Sequence, residues 1–282
     1  MLEKLKSLTD LGDKYDVILS DVWGVLHNGV SVYEGAPKVL SALREAGKTV
    51  ILITNSPRRK QGVASQLEML GVPPEAYDDI VTSGDLTRHL IKQMPKNVFF
   101  LGPDRDLQIL DGLDVVRVKA EEAEAIVCTG MFDDNVEKPE DYSDMLAEFK
   151  VRNLPFVCAN PDLIVERGER MIPCAGAVAQ LYKQIGGDVY VAGKPHKPMY
   201  QTALEIASKI RGEIDQSRVV AIGDGMPTDV KGAINYGLDL VFVAHGIHIQ
   251  NYGDSDNIDE LKLTGFLAKQ GVRPNYWMEW VC

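Results

Sequence analysis

The chain has 282 residues, 45% of them hydrophobic, and its 41 Asp and Glu outnumber its 30 Lys and Arg to give a formal net charge of −11 and a pI near 5.0. That length buries a sizeable core and, at roughly 150 residues per domain, is read as about two domains. The acidic balance excludes a broad nucleic-acid surface, which needs clustered Lys and Arg, and suits a bound metal. No apolar run approaches the roughly 20 residues that span a bilayer, and the N-terminal MLEKLKSLTDLGDKYD is too polar for a signal peptide. Cys128, Cys158, Cys174 and Cys282 are scattered with no CxxC, which points to reduced, mostly buried thiols. The expectation is a cytoplasmic protein with neither nucleic acid nor membrane as partner.

Short apolar runs alternate with helix-period segments, the pattern of parallel strands joined by crossover helices. Val17-Ile18-Leu19 is expected as the first strand. Val39, Leu40, Leu43 and Ala46 then recur at helical spacing, with Gly47 as a C-terminal cap. Residues 50–53 make the second strand, and a helix fits 59–70 with Val63, Leu67 and Leu70 on one face. The middle has its own strands at 98–101, 125–128 and 155–158 and helical stretches at 140–152 and 175–185, enough for an independent α/β unit inserted into the first. The original rhythm returns at 189–191, a helix around 199–210, a strand at 219–222, a short helix around 228–236 and a strand at 240–243. The expected organisation is α/β, a Rossmann-like parallel-sheet core from 1–85 and 188–282 with an α/β domain, 86–187, inserted between. The closing RPNYWMEWVC holds two of the three tryptophans and reads as core packing or as a contact in a homo-oligomer.

The residues just beyond each core strand carry the chemistry. Asp21 comes after the first, Thr54-Asn55-Ser56 after the second, Gly193-Lys194-Pro195 after the third and Gly223-Asp224-Gly225 after the fourth. Ligands of an open parallel sheet bind at the carboxyl ends of its strands, so these groups are expected to meet on one edge. Together they are the ingredients of phosphoryl transfer. A carboxylate nucleophile cannot approach a phosphoryl group unless cations offset the repulsion. Asp21 and Asp224 are hard oxygen ligands suited to Mg²⁺, Lys194 adds a positive charge, and the Thr54 hydroxyl with neighbouring N–H groups can hold phosphate oxygens. Other phosphate motifs fail on spacing: GDVYVAGKP is no P-loop, and GDGMPTD lacks the third glycine of a dinucleotide fingerprint. On residue type alone Thr54 and Asn55 also suit a helix cap, Arg58 and Arg59 read as surface cations, and His196, His245 and His248 lack metal-ligand spacing.

With DVWGVLHNG, ILITNSPRR, ANPDLIV, VAGKPHKPMY and AIGDGMPTDVKGA in that order along nearly the whole length, the chain resembles the haloacid dehalogenase superfamily. The resemblance is to subfamily IIA, whose large cap is inserted between the second and third motifs, and which includes sugar-phosphate, nitrophenyl-phosphate and pyridoxal-phosphate phosphatases. It implies Mg²⁺-dependent hydrolysis of a small phosphorylated metabolite through an aspartyl-phosphate. In that scheme Asp21 is the nucleophile, Thr54 and Asn55 hold phosphate, Lys194 stabilises charge, and Asp224 and the Trp23 backbone carbonyl bind the metal with Asp229 as an outer acid. Asn160-Pro161-Asp162, with Pro173 and Gly176-Ala177 after it, resembles the cap signature and marks Asn160 and Asp162 as substrate or gating residues, although the same residue types also make a plain turn.

Trp23 departs from the pattern, which has a second Asp two residues after the nucleophile to protonate the leaving group and then activate water. An indole N–H has no useful acidity, and removing a general acid/base costs on the order of 10²–10⁴-fold in rate. His27 is the nearest titratable side chain of suitable pKa. The alternatives are a phosphatase with a relocated acid or with acidic leaving groups, a phosphotransferase, or a catalytically impaired binder of metal and phosphometabolite.

Overall fold

A computed structural model of the chain describes residues 2–254 and 257–282; Met1, the first residue of the expected core, and residues 255–256 in its second segment lie outside the described residues. The first segment forms β1 (Glu3–Lys4), β2 (Val17–Ser20), α1 (Gly35–Glu45), β3 (Thr49–Thr54), α2 (Lys60–Met69), β4 (Asp79–Thr82) and α3 (Ser83–Ile91). The middle forms β5 (Asn97–Leu101), β6 (Val116–Arg117), β7 (Ala125–Cys128), α4 (Ser143–Val151), β8 (Phe156–Cys158), β9 (Ile164–Arg167), β10 (Arg170–Pro173), α5 (Ala175–Gln184) and β11 (Val189–Val191). The last segment forms α6 (Lys197–Arg211), β12 (Val219–Gly223), α7 (Lys231–Tyr236), β13 (Asp239–Val243), α8 (Glu260–Lys269) and β14 (Tyr276–Met278).

The larger sheet is parallel throughout, in the order β1-β14-β13-β12-β2-β3-β4. Every residue of β2, β3 and β12 is buried, as parallel strands covered on both faces must be. Alternation along the strands sorts them between two apolar layers. Ile18, Val50, Leu52 and Ile222 pack with Leu40 of α1 and Leu67 of α2. Leu19, Ile51, Ile53 and Ala221 pack with Met199 and Ala203 of α6 and Leu263 of α8. Chain order runs outward from β2 on one side and from β12 on the other, so the crevice beyond these two neighbours is the switch point where this architecture binds ligands.

The second sheet, also parallel, has the order β11-β8-β7-β5-β6, and β9 and β10 form a separate antiparallel hairpin. Two sequence expectations change here. The strand at 189–191, expected in the core sheet, pairs with β8 instead, Val189 opposite Phe156 and Val191 opposite Cys158. The boundary at 188 therefore moves past Val191. The boundary at 85–86 falls inside α3, whose Leu86 packs in the core with Ile53 while Ile91 packs under the second sheet with Val98 and Val127. Strands β1, β4, β6, β9, β10 and β14 had no counterpart in the sequence reading.

The C-terminal tail packs into the core through β14, where Trp277 and Met278 are buried, and Trp280 stacks on His245 at 4.3 Å between ring centroids. Cys128, Cys158 and Cys174 are buried and free, whereas Cys282 is free and exposed. Among the described residues no helix is long and apolar enough to cross a membrane.

Candidate active site

Asp21 is the first residue beyond β2. Its backbone N–H donates to the Ile222 carbonyl at 2.9 Å, and its Oδ1 accepts from the Val22 N–H at 2.7 Å, so the carboxylate is held at the switch point. Asp224 comes directly after β12 next door and accepts the Ile247 N–H at 2.9 Å through Oδ2. Glycine lets the backbone press onto it: Gly24 has φ +82°, and a Cβ there would lie 2.5 Å from Asp224 Oδ2. Asp229 comes from the turn Met226–Val230 and accepts from the Gly225 N–H at 3.1 Å.

Lys194 reaches this cluster from the second sheet, not from the core sheet. It lies just past β11, and its Nζ donates to Asp21 Oδ1 at 2.6 Å and to Asp229 Oδ1 at 2.8 Å while the side chain is only 2% exposed. Burial alone would lower the ammonium pKa, but the carboxylates of Asp21, Asp229 and Asp162 more than reverse that and raise it. On the acids burial itself works upward. Burial, reinforced by Asp229, pushes Asp21 well up and Asp224 to about 7. One oxygen from each of Asp21, Asp224 and Asp229 lies within 4.8 Å of the others. Three buried carboxylates against one ammonium leave excess negative charge, and a purely oxygen donor set fits a hard divalent cation such as Mg²⁺. Asp229, expected as an outer acid, sits in this cluster and also anchors Lys194.

The remaining expected residues line the same cavity, of about 260 Å³. Thr54 ends β3 and its Oγ1 accepts from the Ser56 N–H at 3.2 Å. The Asn55 side chain is engaged otherwise than expected. Its Oδ1 accepts the Lys194 N–H at 2.8 Å and its Nδ2 donates to Asp162 Oδ1 at 2.9 Å, so it ties the lysine loop and the cap to the core. Asn160 accepts the Asp162 N–H at 3.1 Å, the turn its residue type favours. Burial raises the Asp162 carboxyl to about 6.

Trp23 also lines the cavity, and its indole Nε1–H donates to the Glu166 carbonyl of β9, a bond from core to cap. A second such bond runs from the Gly168 N–H to the Asn28 carbonyl at 3.1 Å. Gly29 makes room for the indole, since a Cβ there would lie 2.4 Å from Trp23 Cζ2. His27, the nearest titratable side chain in the sequence, packs edge-on to Trp23 at 5.0 Å between centroids and is 1% exposed. Its Nδ1 accepts the Gly29 N–H at 2.9 Å and burial holds its pKa near 4. It is a neutral structural acceptor outside the cavity wall and does not replace the missing acid.

Comparison with known proteins settles the family. A model of haloacid dehalogenase-like hydrolases matches residues 18–116 and a second, HAD-hydrolase-like model matches 191–260. The crystal structure of a haloacid dehalogenase-like hydrolase from Brucella suis 1330 is 47% identical with a TM-score of 0.89, covering 100% of both chains. The chain belongs to the haloacid dehalogenase-like hydrolase family. It is also 28% identical over 239 residues to an acid sugar phosphatase of Staphylococcus saprophyticus, covering 83% of this chain and 88% of that one. A possible sugar phosphatase from Cytophaga hutchinsonii shares the fold, with 22% identity and a TM-score of 0.81 over 98% of each chain.

Sequence reading missed part of this hydrolase's cavity wall. Arg58, read as a surface cation, lines it, as do Arg105, Asp106, Thr129, Asp134 and Arg167. They come from several segments of core and cap, and no local pattern links them.

Proposed function

We propose that the protein is a Mg²⁺-dependent phosphatase that hydrolyses a small phosphate monoester through a phospho-Asp21 intermediate. The observation that supports this best is the buried ammonium of Lys194 shared between Asp21 and Asp229, beside Asp224. Asp21 attacks phosphorus, an aspartyl O–P bond forms, and the ester oxygen leaves with the bonding pair. Water then attacks phosphorus, releasing phosphate and Asp21. Lys194 offsets the charge that gathers on the phosphoryl oxygens, and Thr54 orients them. Asp21, Asp224 and Asp229, with the Trp23 backbone carbonyl, are the groups that would hold Mg²⁺, which when bound neutralises phosphoryl charge. The cavity lies near the lower end of ligand pockets, roughly 300 Å³, which favours a small metabolite ester over a nucleotide or a phosphoprotein. The cap closes over it and excludes bulk water. The buried free thiols support a reducing compartment, the cytoplasm.

Trp23 supports a second reading, a binder that retains the cation site and has lost turnover, because the indole N–H is engaged with Glu166 and cannot donate a proton. Esters with acidic leaving groups bypass that difficulty at the first step. Asp162, which lines the same cavity, is raised by burial to about 6, where a substitute acid would titrate. The deciding experiment is p-nitrophenyl phosphate hydrolysis with Mg²⁺, wild type against Asp21→Asn. Turnover abolished by the substitution upholds the phosphatase; no turnover by the wild type on nitrophenyl or acyl phosphates, with Mg²⁺ bound, upholds the binder.

A further inference from the structure

The cavity contains a second charged cluster that the phosphoryl chemistry leaves unused. Asp134 takes a forked pair of hydrogen bonds from Arg167, Nη1 to Oδ1 at 3.0 Å and Nη2 to Oδ2 at 2.7 Å, and another from Arg105. Arg58, from the core loop after β3, is held by Gln66 Oε1 at 3.1 Å, and its Nε stands 3.7 Å from Asp106 Oδ1, too far for a hydrogen bond. Three guanidiniums thus face two carboxylates, which leaves one positive charge over. Asp106 and Thr129 are each 4% exposed, and Asp106 Oδ1 and Thr129 Oγ1 are buried without a hydrogen bond in the chain's own packing. Buried acceptors and hydroxyls are costly to leave unpaired, so a wall that holds two of them is built for a polar occupant. Arg58 and Asp106 act on each other and both feel Arg105 and Asp134, with Arg167 also acting on Arg58 and Thr129 on Asp106, whereas the groups that act on Asp21 are Asp229, Lys194 and Asp224. One cavity therefore holds two separate charged ends.

Resting on the phosphatase reading, the geometry points to a recognition subsite for the leaving group, built from Arg58, Arg105 and Arg167 with Asp106 and Thr129, that selects phosphate monoesters whose alcohol carries one carboxylate and a hydroxyl. The carboxylate matches the unbalanced guanidinium charge, and arginine presents paired N–H donors in the plane a carboxylate needs. The hydroxyl can donate to Asp106 Oδ1 and pair with Thr129. A neutral sugar or alkyl ester would leave the positive charge unmatched, which is how a polar site rejects a substrate lacking the group it was built for.

The test compares glycerate 3-phosphate with glycerol 1-phosphate, which share the phosphorylated carbon and differ in the carboxylate. With Mg²⁺, the wild type is expected to favour the glycerate ester by about 10- to 100-fold in kcat/KM, the size of one charge-assisted hydrogen-bonded pair. Arg105→Gln and Arg58→Gln are each expected to reduce that ratio about tenfold or more, mainly by raising KM for the glycerate ester. Calorimetry with Asp21→Asn and Mg²⁺ reads the same preference as binding. Turnover of both esters at similar efficiency, or a ratio unmoved by both substitutions, overturns the subsite and leaves the phosphatase reading intact. Absence of turnover on every ester, with the glycerate ester still bound at least tenfold tighter, upholds the subsite and overturns the phosphatase. Equal binding of the two esters overturns the subsite in either case.

Discussion

Replacing Trp23 by Phe keeps an aromatic body against His27 and deletes the one donor that the indole offers to the Glu166 carbonyl. That bond crosses from core to cap, so its loss acts on closure and not on the core's own stability. A hydrogen bond contributes a net of roughly 0.5–1.5 kcal/mol, so the closed-to-open ratio should fall by about 2- to 13-fold. Closure should persist, because the Gly168 N–H to Asn28 bond at 3.1 Å and the Asn55 to Asp162 bond at 2.9 Å remain. Amide hydrogen exchange over residues 164–173 reads the opening directly, and the Gly168 amide is the most informative probe. The variant should exchange about 2- to 13-fold faster there, with β2 and β12 unchanged, and KM should rise by a similar factor. Protection of Gly168 unchanged in Trp23→Phe would refute the claim that the indole latches the cap.

Trp23→Asp restores a carboxyl where the family carries its acid/base; hydrolysis of an alkyl phosphate should rise by about 10²-fold, and by less for p-nitrophenyl phosphate, whose leaving group needs little help. No gain on either ester would mean that another group already serves. Lys194→Met removes the cation shared by Asp21 and Asp229, and breaking a buried pair costs about 3–5 kcal/mol. For 282 residues that is a fall in Tm of roughly 5–8 °C by calorimetry, partly recovered by Mg²⁺, and an unchanged Tm would contradict it. His27 makes acid stability predictable. With its folded pKa near 4 against an unfolded 6.5, the unfolded chain takes the proton first. The His27 contribution is therefore complete above pH 6.5 and is lost as pH falls toward 4, by about 3 kcal/mol. Urea titrations across that window should show a steeper loss in wild type than in His27→Asn, and equal slopes would count against a buried neutral imidazole.

The site was legible wherever an apolar run ended in a chemically informative residue, because a strand's carboxyl end is a local feature. Asp21 after VILS and Asp224 after VVAIG need nothing beyond their own segments to be placed at the sheet edge. VYV at 189–191 has the same local look, yet it belongs to the second sheet. Its partner is β8, and pairing over that sequence distance leaves no local mark. Lys194 was picked from that same local signal but attached to the wrong sheet. The hairpin of β9 and β10 was missed because IVER and RMIP are four residues each, with charges that mask alternation. That hairpin carries the Glu166 carbonyl and Arg167, so both the Trp23 latch and the arginine cluster were out of reach. Asn55 was named a phosphate holder from the family resemblance, and the contact its amide makes with the Lys194 backbone and Asp162 at once, across three segments, was not readable from the sequence.

The central claim is that Asp21 is the nucleophile of a phosphoryl transfer, and trapping the enzyme in the act tests it most directly. The protein is mixed with p-nitrophenyl phosphate and Mg²⁺, quenched in acid within the first turnovers and read by peptide mass spectrometry. Because Trp23 cannot activate the water of the second step, the intermediate should accumulate: one phosphoryl group on the peptide bearing Asp21, labile to hydroxylamine and absent in Asp21→Asn. Nitrophenol release with no phosphoryl adduct at Asp21, or an adduct on another residue that survives the Asp21→Asn substitution, would contradict the account.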